Sequence, residues 1–220
     1  MPGTAAEMLR TTRSELAPEP NANPLVPLVA SGRASLETLA ALALEQHRVI
    51  PADRHAFLHL AQRASGEPEA AGFFTMLAEG EELAAERLGA FAEACDVDEE
   101  RRQAYEPLAG CQAYPAYISW LALNAAPADA VLAITANFAT WGTYCAAIAR
   151  GLREHYGFTD EACAFFDFFA EPAPTLDEQA EAAVQAGLDT GRLDTSSAYT
   201  YGRLLQAYEA MFWSALGQTP

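Results

Sequence analysis

The sequence predicts an all-α protein that folds as a single domain. No stretch shows the strict alternation of apolar and polar residues, rich in Val, Ile and Thr, that a half-buried strand requires. Residues that favour helix starts, such as Ser35 and Thr159, precede segments with apolar residues at helical spacing. Alanine is abundant in these segments and the connections are short. We therefore expect sequential helices that pack closely, mostly as antiparallel neighbours.

In the first half of the chain, prolines and capping residues predict the helix ends. We expect residues 1–22 to form an N-terminal arm with at most a short helix, followed by one helical domain over residues 23–217. Ser35 caps a helix that runs to Ile50, where Pro51 predicts a kink or break. The next helix ends at Ser65-Gly66-Glu67, and Pro68 starts a long helix that reaches about Ala94.

The same signals divide the second half into further helices. A short helix follows Asp98. The later ones are expected over Ala113 to Asn124, Pro127 to Tyr156, Thr159 to Phe169, Thr175 to about Leu188 and Ser196 or Ser197 to about Gly217.

The composition of the chain disfavours several classes of partner and location. The chain has 220 residues, of which 51% are hydrophobic, so it can bury a full-sized core. Its 13 basic and 30 acidic residues give a net charge of −17, which disfavours nucleic acid and anionic membranes as partners. We expect neither a secretory signal nor a membrane span, because no sufficiently long apolar run is evident. Four cysteines without a CxxC pair indicate reduced thiols and a cytoplasmic location.

Two glutamates lie among apolar neighbours and are candidates for proton transfer. Glu45 shares a helical face with Leu42 and Val49, and Glu209 lies near Phe212 and Trp213. Burial penalises the charged form of a carboxyl and raises its pKa toward the range useful for acid–base work. The alternative is an ordinary buried glutamate bound to an Arg or Tyr.

Aromatic residues recur in three predicted helices, at Tyr114 to Tyr117, Trp141 to Tyr144 and Phe165 to Phe169. Aromatic walls with a few hydroxyl groups are a common lining of small-molecule pockets. Aromatic residues also fill ordinary cores, so this pattern alone leaves both interpretations open.

Metal and thiol chemistry are weaker alternatives. His55 and His59 share a helical face, but a di-iron site needs ligands from about four helices, and beyond them the chain offers only His155 late in the sequence. We therefore expect no metal and no other cofactor. Cys145 lies in an aromatic stretch and could act as a nucleophile, although packing is the commoner role of a buried cysteine.

The order of these features resembles the TenA family, the thiaminase II-like proteins of the heme-oxygenase-like fold, which are grouped with pyrroloquinoline-quinone synthase. The resemblance covers about Asn23 to Leu216. Its strongest part is Tyr208-Glu209-x-x-Phe212-Trp213, which is similar to the terminal motif whose glutamate serves as acid and base in thiaminase II. Glu45 and Arg54 have the spacing of a family pair in which the acidic residue is usually Asp.

The resemblance also implies a pocket. Tyr114 is similar to the pocket tyrosine of the family, Trp141 and Tyr144 to the motif that follows its nucleophile, and the helix with Phe169 to its aromatic pocket helix. At the position of the family's nucleophilic cysteine this chain has Ala139. Cys145 does not replace it, because six residues along a helix rotate about 240° and rise about 9 Å.

These implications combine into one expectation with alternatives. The chain is expected to be a TenA-like protein in which Glu209 and Glu45 act as catalytic groups, on a small nitrogen-containing or aromatic metabolite, by metal-free acid–base chemistry. The substrate would be bound by Tyr114, Trp141, Tyr144, Phe169, Ala139 and Arg48, the last as in cofactor-free pyrroloquinoline-quinone synthase. The alternatives are an iron-dependent oxidase of the same fold and a non-catalytic binding or regulatory protein. The family implies a homo-oligomer, a dimer or tetramer.

Overall fold

The computed structural model describes residues 3–19 and 22–218, apart from the side chain of Ala139. These residues form helices and no strand, so the all-α prediction is confirmed. The helices are α1 (Ala5–Glu15), α2 (Leu25–Ala30), α3 (Leu36–Arg63), α4 (Pro68–Ala94), α5 (Glu99–Ala104), α6 (Ala109–Asn124), α7 (Pro127–Gly151), α8 (Asp160–Ala170), α9 (Pro174–Thr190) and α10 (Thr195–Gly217). A π-helical segment, Leu152–Tyr156, extends α7.

Local capping explains several of the helix ends. The side chains of Ser35, Asp98 and Thr159 each accept a hydrogen bond from a backbone N–H in the first turn of the helix that follows. Gly157 ends the π-helical extension of α7 with a φ of 70°, a left-handed conformation that glycine adopts at little cost. These ends agree with the sequence predictions.

Three predicted ends are wrong. α3 runs through Pro51 without a break, because the lost backbone hydrogen bond is offset by packing of the buried helix against α4 and α6. α6 begins at Ala109 rather than Ala113 and contains Pro115. α10 is capped by Asp194 rather than by Ser196 or Ser197.

The long helices form one bundle around α7. α3 and α4, joined by four residues, pack along each other, and α6 joins α3 to α10. α7 contacts α1, α2, α4, α8, α9 and α10. The helix Pro127–Tyr156 has the length and hydropathy of a membrane span, which the sequence prediction did not anticipate, and 53% of its most apolar window is buried inside the bundle. Core helices of soluble proteins share this property.

Two clusters of buried apolar residues form the interior. One is centred on side chains such as Phe57 and Phe73, and the other on Phe166 and Trp213. Tyr114 packs against both clusters. The junction between the clusters therefore lies around the middle of α6, where the side chains of several helices converge.

Candidate functional site

A cavity of about 810 Å³ lies at this junction. Its lining comes from α3, α4, α6, α7, α8 and α10, with contributions from α1 and the start of α9. The volume is in the range of pockets that bind drug-sized molecules. Six carboxylates and one guanidinium, that of Arg13, are among the described lining residues. The cavity therefore combines apolar walls with an excess of negative charge.

Aromatic rings form one wall of the cavity. Trp141 meets Phe169 edge to face, with ring centroids 5.5 Å apart. Trp141 also stacks on Trp213, with ring centroids 5.8 Å apart and an interplanar angle of 29°. Phe212 also lines the cavity and contacts Trp213 edge to face at 5.1 Å. Such a wall can stack on a flat aromatic ligand.

The carboxyl group of Glu209 lies at this aromatic wall. Glu209 is 7% exposed and accepts hydrogen bonds from Asn137 Nδ2 at 2.5 Å and from Trp213 Nε1 at 3.0 Å. Burial raises the pKa of Glu209, while the two hydrogen bonds oppose that change. Both donors are neutral, so the negative charge is oriented but not neutralised. A carboxyl in this setting can take up and return a proton.

Two further acidic side chains face the cavity, Asp53 from α3 and Glu81 from α4. Asp53 is 3% exposed, and its Oδ1 has no hydrogen-bond partner among the described residues. Burial raises the pKa of Asp53 well above its usual value. Glu81 lines the same cavity, and its pKa is raised well above the usual value by burial and then by the charge of Asp53. The two carboxyls therefore form an interacting pair.

The hydroxyl group of Tyr114 is influenced both by Glu209 and by the pair of Asp53 and Glu81. Burial raises the pKa of its hydroxyl well above the usual value, and Asp53, Glu209 and Glu81 raise it further. All three carboxyls line the same cavity as Tyr114. Tyr114 stays protonated at neutral pH and can donate a hydrogen bond to a molecule in the cavity.

Comparison with known proteins shows similarity to solved structures. No family model and no curated protein matches the sequence. Among solved structures, a TenA homologue from Pyrococcus horikoshii OT3 superposes with a TM-score of 0.76, at 14% identity, over 99% of this chain and 100% of the other. A TenA homologue from Pseudomonas syringae pv. tomato gives a TM-score of 0.72, at 14% identity, over 96% and 92% of the two chains.

A third structure names the fold. A domain of unknown function with a heme oxygenase-like fold from Shewanella denitrificans OS217 gives a TM-score of 0.67, at 13% identity, over 96% of this chain and 88% of the other. The chain has a heme-oxygenase-like fold. The superpositions establish the fold, whereas sequence identities of 13% and 14% transfer no residue roles to this chain.

The heme-oxygenase-like fold brings together four of the predicted site residues. Tyr114, Trp141, Phe169 and Glu209 all line the cavity. They come from α6, α7, α8 and α10, so that only the tertiary packing makes them neighbours.

Glu45, which the sequence analysis expects to act as a catalytic group beside Glu209, does not line the cavity. It is 0% exposed and accepts hydrogen bonds from Tyr105 Oη at 2.7 Å, Leu108 N at 2.6 Å and Gln112 Nε2 at 2.6 Å. These bonds tie the segment between α5 and α6 to α3. The next residue, Gln46, faces the cavity instead, because one residue rotates a helical position by about 100°.

Tyr144 and Arg48 also lie outside the cavity lining. The ring of Tyr144 packs edge to face on Trp213, with centroids 5.6 Å apart, so it supports the aromatic wall from behind. Arg48 is exposed and its Nη2 donates to the carbonyl of Tyr105 at 3.4 Å. Ala139 is part of α7, and its side chain lies outside the described residues.

The histidines and cysteines contribute nothing to the described lining. His55 is exposed, His59 is half-buried, and neither faces the cavity. Among the described residues, no group of three or more His, Cys, Asp or Glu side chains could hold a metal ion. All four cysteines are buried and free. Cys145 does not line the cavity, as the helical rotation predicted, and burial raises the pKa of its thiol well above the usual value.

Sequence reasoning missed Asp53, Glu81 and Asn137. A signal for Asp53 was present, because it lies four residues after Val49 and four before Phe57, on an apolar face of the helix. Glu81 likewise follows Leu77 at a spacing of four. A charged residue at such a position is costly unless it has a partner or a function.

Proposed function

We propose that this protein is a TenA-like protein that binds or transforms a small nitrogen-containing or aromatic metabolite in the cavity. The chemistry would be acid–base catalysis that needs neither a metal nor a cysteine nucleophile. The observation that carries the proposal is the buried carboxyl of Glu209, which Asn137 and Trp213 orient at an aromatic cavity wall.

Each lining group has a role in this scheme. Glu209 would take a proton from the bound molecule and return it, helped by its raised pKa. Tyr114 would donate a hydrogen bond that orients the molecule. Trp141 and Phe169 would stack on its ring and exclude water.

We further propose a cytoplasmic homo-oligomer that has no nucleic-acid or membrane partner. The net charge of −17 supports the absence of phosphate-rich partners. An exposed apolar surface supports self-association, since Trp120, Leu123, Leu204 and Met211 on α6 and α10 are all at least 40% exposed.

The test combines ligand identification with turnover. Freshly purified protein is denatured and the released small molecules are identified by mass spectrometry. Wild type and Glu209→Gln are then incubated with a metabolite extract, and the consumed compounds are compared. We expect wild type to consume a compound that Glu209→Gln binds but does not convert.

The matched control is Glu82→Gln, which removes an exposed carboxyl on α4 outside the cavity lining. This variant should behave as wild type. If Glu209→Gln binds and converts the same compound at an unchanged rate, the role of Glu209 is wrong. If wild type binds a compound and converts none, the protein is a binding or regulatory protein.

A further inference from the structure

The pair of Asp53 and Glu81 has no role in the chemistry assigned to Glu209. Asp53 is nine-tenths buried or more, with Oδ1 unpaired, and it faces the cavity. Glu81 reaches the same cavity from α4 and interacts with Asp53. Two neighbouring carboxyls in such a site are unfavourable for stability, because desolvation and mutual repulsion both penalise their charged forms. A positively charged partner would therefore stabilise the pair.

The nearby cations of the chain are engaged elsewhere. Arg54 follows Asp53 directly, but its Nη2 binds the exposed Glu82 at 3.1 Å. Arg13, the one cation in the described lining, binds Asp177 at 2.5 Å. The described residues thus place no protein cation on Asp53 or Glu81.

We propose that Asp53 and Glu81 form a subsite that binds a protonated amine of the molecule held in the cavity. This inference rests on the proposed function, since it assumes a small-molecule ligand, and it specifies that ligand as an aromatic amine. An ammonium group carries three donors, and the unpaired Oδ1 of Asp53 is a ready acceptor. Asp53 and Glu81 line the same cavity as Tyr114 and Glu209, so one molecule in that cavity can meet both sites.

An organic cation fits these residues better than a metal ion. Calcium requires six to eight oxygen ligands and magnesium a near-ideal octahedron. The described residues offer no group of three acidic, histidine or cysteine side chains. Phe57 and Phe73 line the same cavity, and such apolar walls suit the carbon frame of an amine.

Binding of an amine changes the number of protons that Asp53 and Glu81 hold. With no cation bound, the two carboxyls retain a proton between them, because both cannot ionise at low cost. An ammonium group allows both to ionise, so that binding releases this proton to the solvent. A neutral ligand of the same shape releases none.

The experiment compares tryptamine, a cation at neutral pH, with tryptophol, its neutral hydroxyl counterpart. Binding of each to wild type, Asp53→Asn and Glu81→Gln is measured by titration calorimetry. Wild type should prefer tryptamine by at least about tenfold, which corresponds to about 1.4 kcal/mol, because tryptophol leaves the buried carboxyls without a cationic partner. Each variant should lose this preference and keep its affinity for tryptophol.

Two controls separate a subsite from a general charge effect. Glu79→Gln removes an exposed carboxyl at the same cavity, and Asp129→Asn removes a buried one outside it. Both should keep the preference for tryptamine. Thermal unfolding checks that Asp53→Asn and Glu81→Gln remain folded, as expected when a buried charge is removed.

Infrared spectroscopy supplies a second readout. Tryptamine should remove a protonated-carboxyl band from wild type, tryptophol should not, and the loss caused by tryptamine should be smaller in Asp53→Asn. If wild type binds both probes equally, or the variants keep the preference, the amine subsite is refuted while a small-molecule cavity stands. If wild type binds neither probe, the amine proposal fails together with the aromatic ligand class of the proposed function.

Discussion

Replacing Asn137 by Ala tests how the protein controls the charge of Glu209. Asn137 donates to the Glu209 carboxylate at 2.5 Å, and this bond favours the ionised form. A hydrogen bond to a charged group contributes about 1.5–3 kcal/mol, against about 1 kcal/mol for a neutral one. The variant should therefore raise the pKa of Glu209 further, because one of the two hydrogen bonds that oppose the effect of burial is lost.

The sign of the stability change follows from the direction of this pKa. Glu209 has a folded-state pKa above its unfolded value, so its ionisation reduces stability as pH rises through the folded pKa. Removing Asn137 increases that loss. The variant should therefore be destabilised by about 1 kcal/mol near pH 4 and by about 1.5–3 kcal/mol near pH 8.

Urea unfolding from about pH 4 to about pH 8 measures this difference. Thr135→Ala is the matched control, because Thr135 is a buried cavity residue of the same helix whose hydroxyl donates to the carbonyl of Val131 rather than to a carboxylate. Its penalty should be independent of pH. If the penalty of Asn137→Ala is equally flat, the described coupling between Asn137 and the charge of Glu209 is refuted.

Three further predictions concern other parts of the bundle. Burial raises the pKa of Asp129 from 3.8 to about 6, so wild type loses stability as pH rises across that range; Asp129→Asn should abolish this loss and be more stable than wild type at neutral pH in urea unfolding. Gly151→Ala should destabilise by about 1–3 kcal/mol in thermal unfolding, because its Cβ would lie 2.7 Å from the carbonyl of Val29, whereas Gly89→Ala, with open space, should not. Trp120→Glu should reduce the mass found by light scattering to that of a monomer, and an unchanged mass would show that this surface is not the contact between subunits.

Much of the secondary structure was predictable because it is local. Two examples are the hydrogen bond that Ser35 Oγ accepts from Thr38 N in the first turn of α3 and the left-handed Gly157, which depend on residues within a few positions of each other. The bond between Trp213 and Glu209 is also local, since four residues bring two side chains to one helical face. For this reason Glu209 was identified from its own segment.

Glu45 shows where helical periodicity fails. Residues 38–46 of α3 are all buried, so the helix is covered on every side at this level. Spacing alone then cannot tell whether Glu45 or Gln46 faces the cavity. The answer depends on the packing of α6, which brings Gln112 to Glu45 and leaves Gln46 at the cavity.

By itself, the sequence determined that the chain is all-α, where most helices begin and end, and that Glu209 lies beside aromatic rings. The tertiary structure alone decided which groups share the cavity. Asn137 and Glu209 are 72 positions apart, and Asp53 and Glu81 lie on different helices. Helix formation depends on hydrogen bonds between near neighbours, whereas these pairs depend on the packing of α7 with α10 and of α3 with α4.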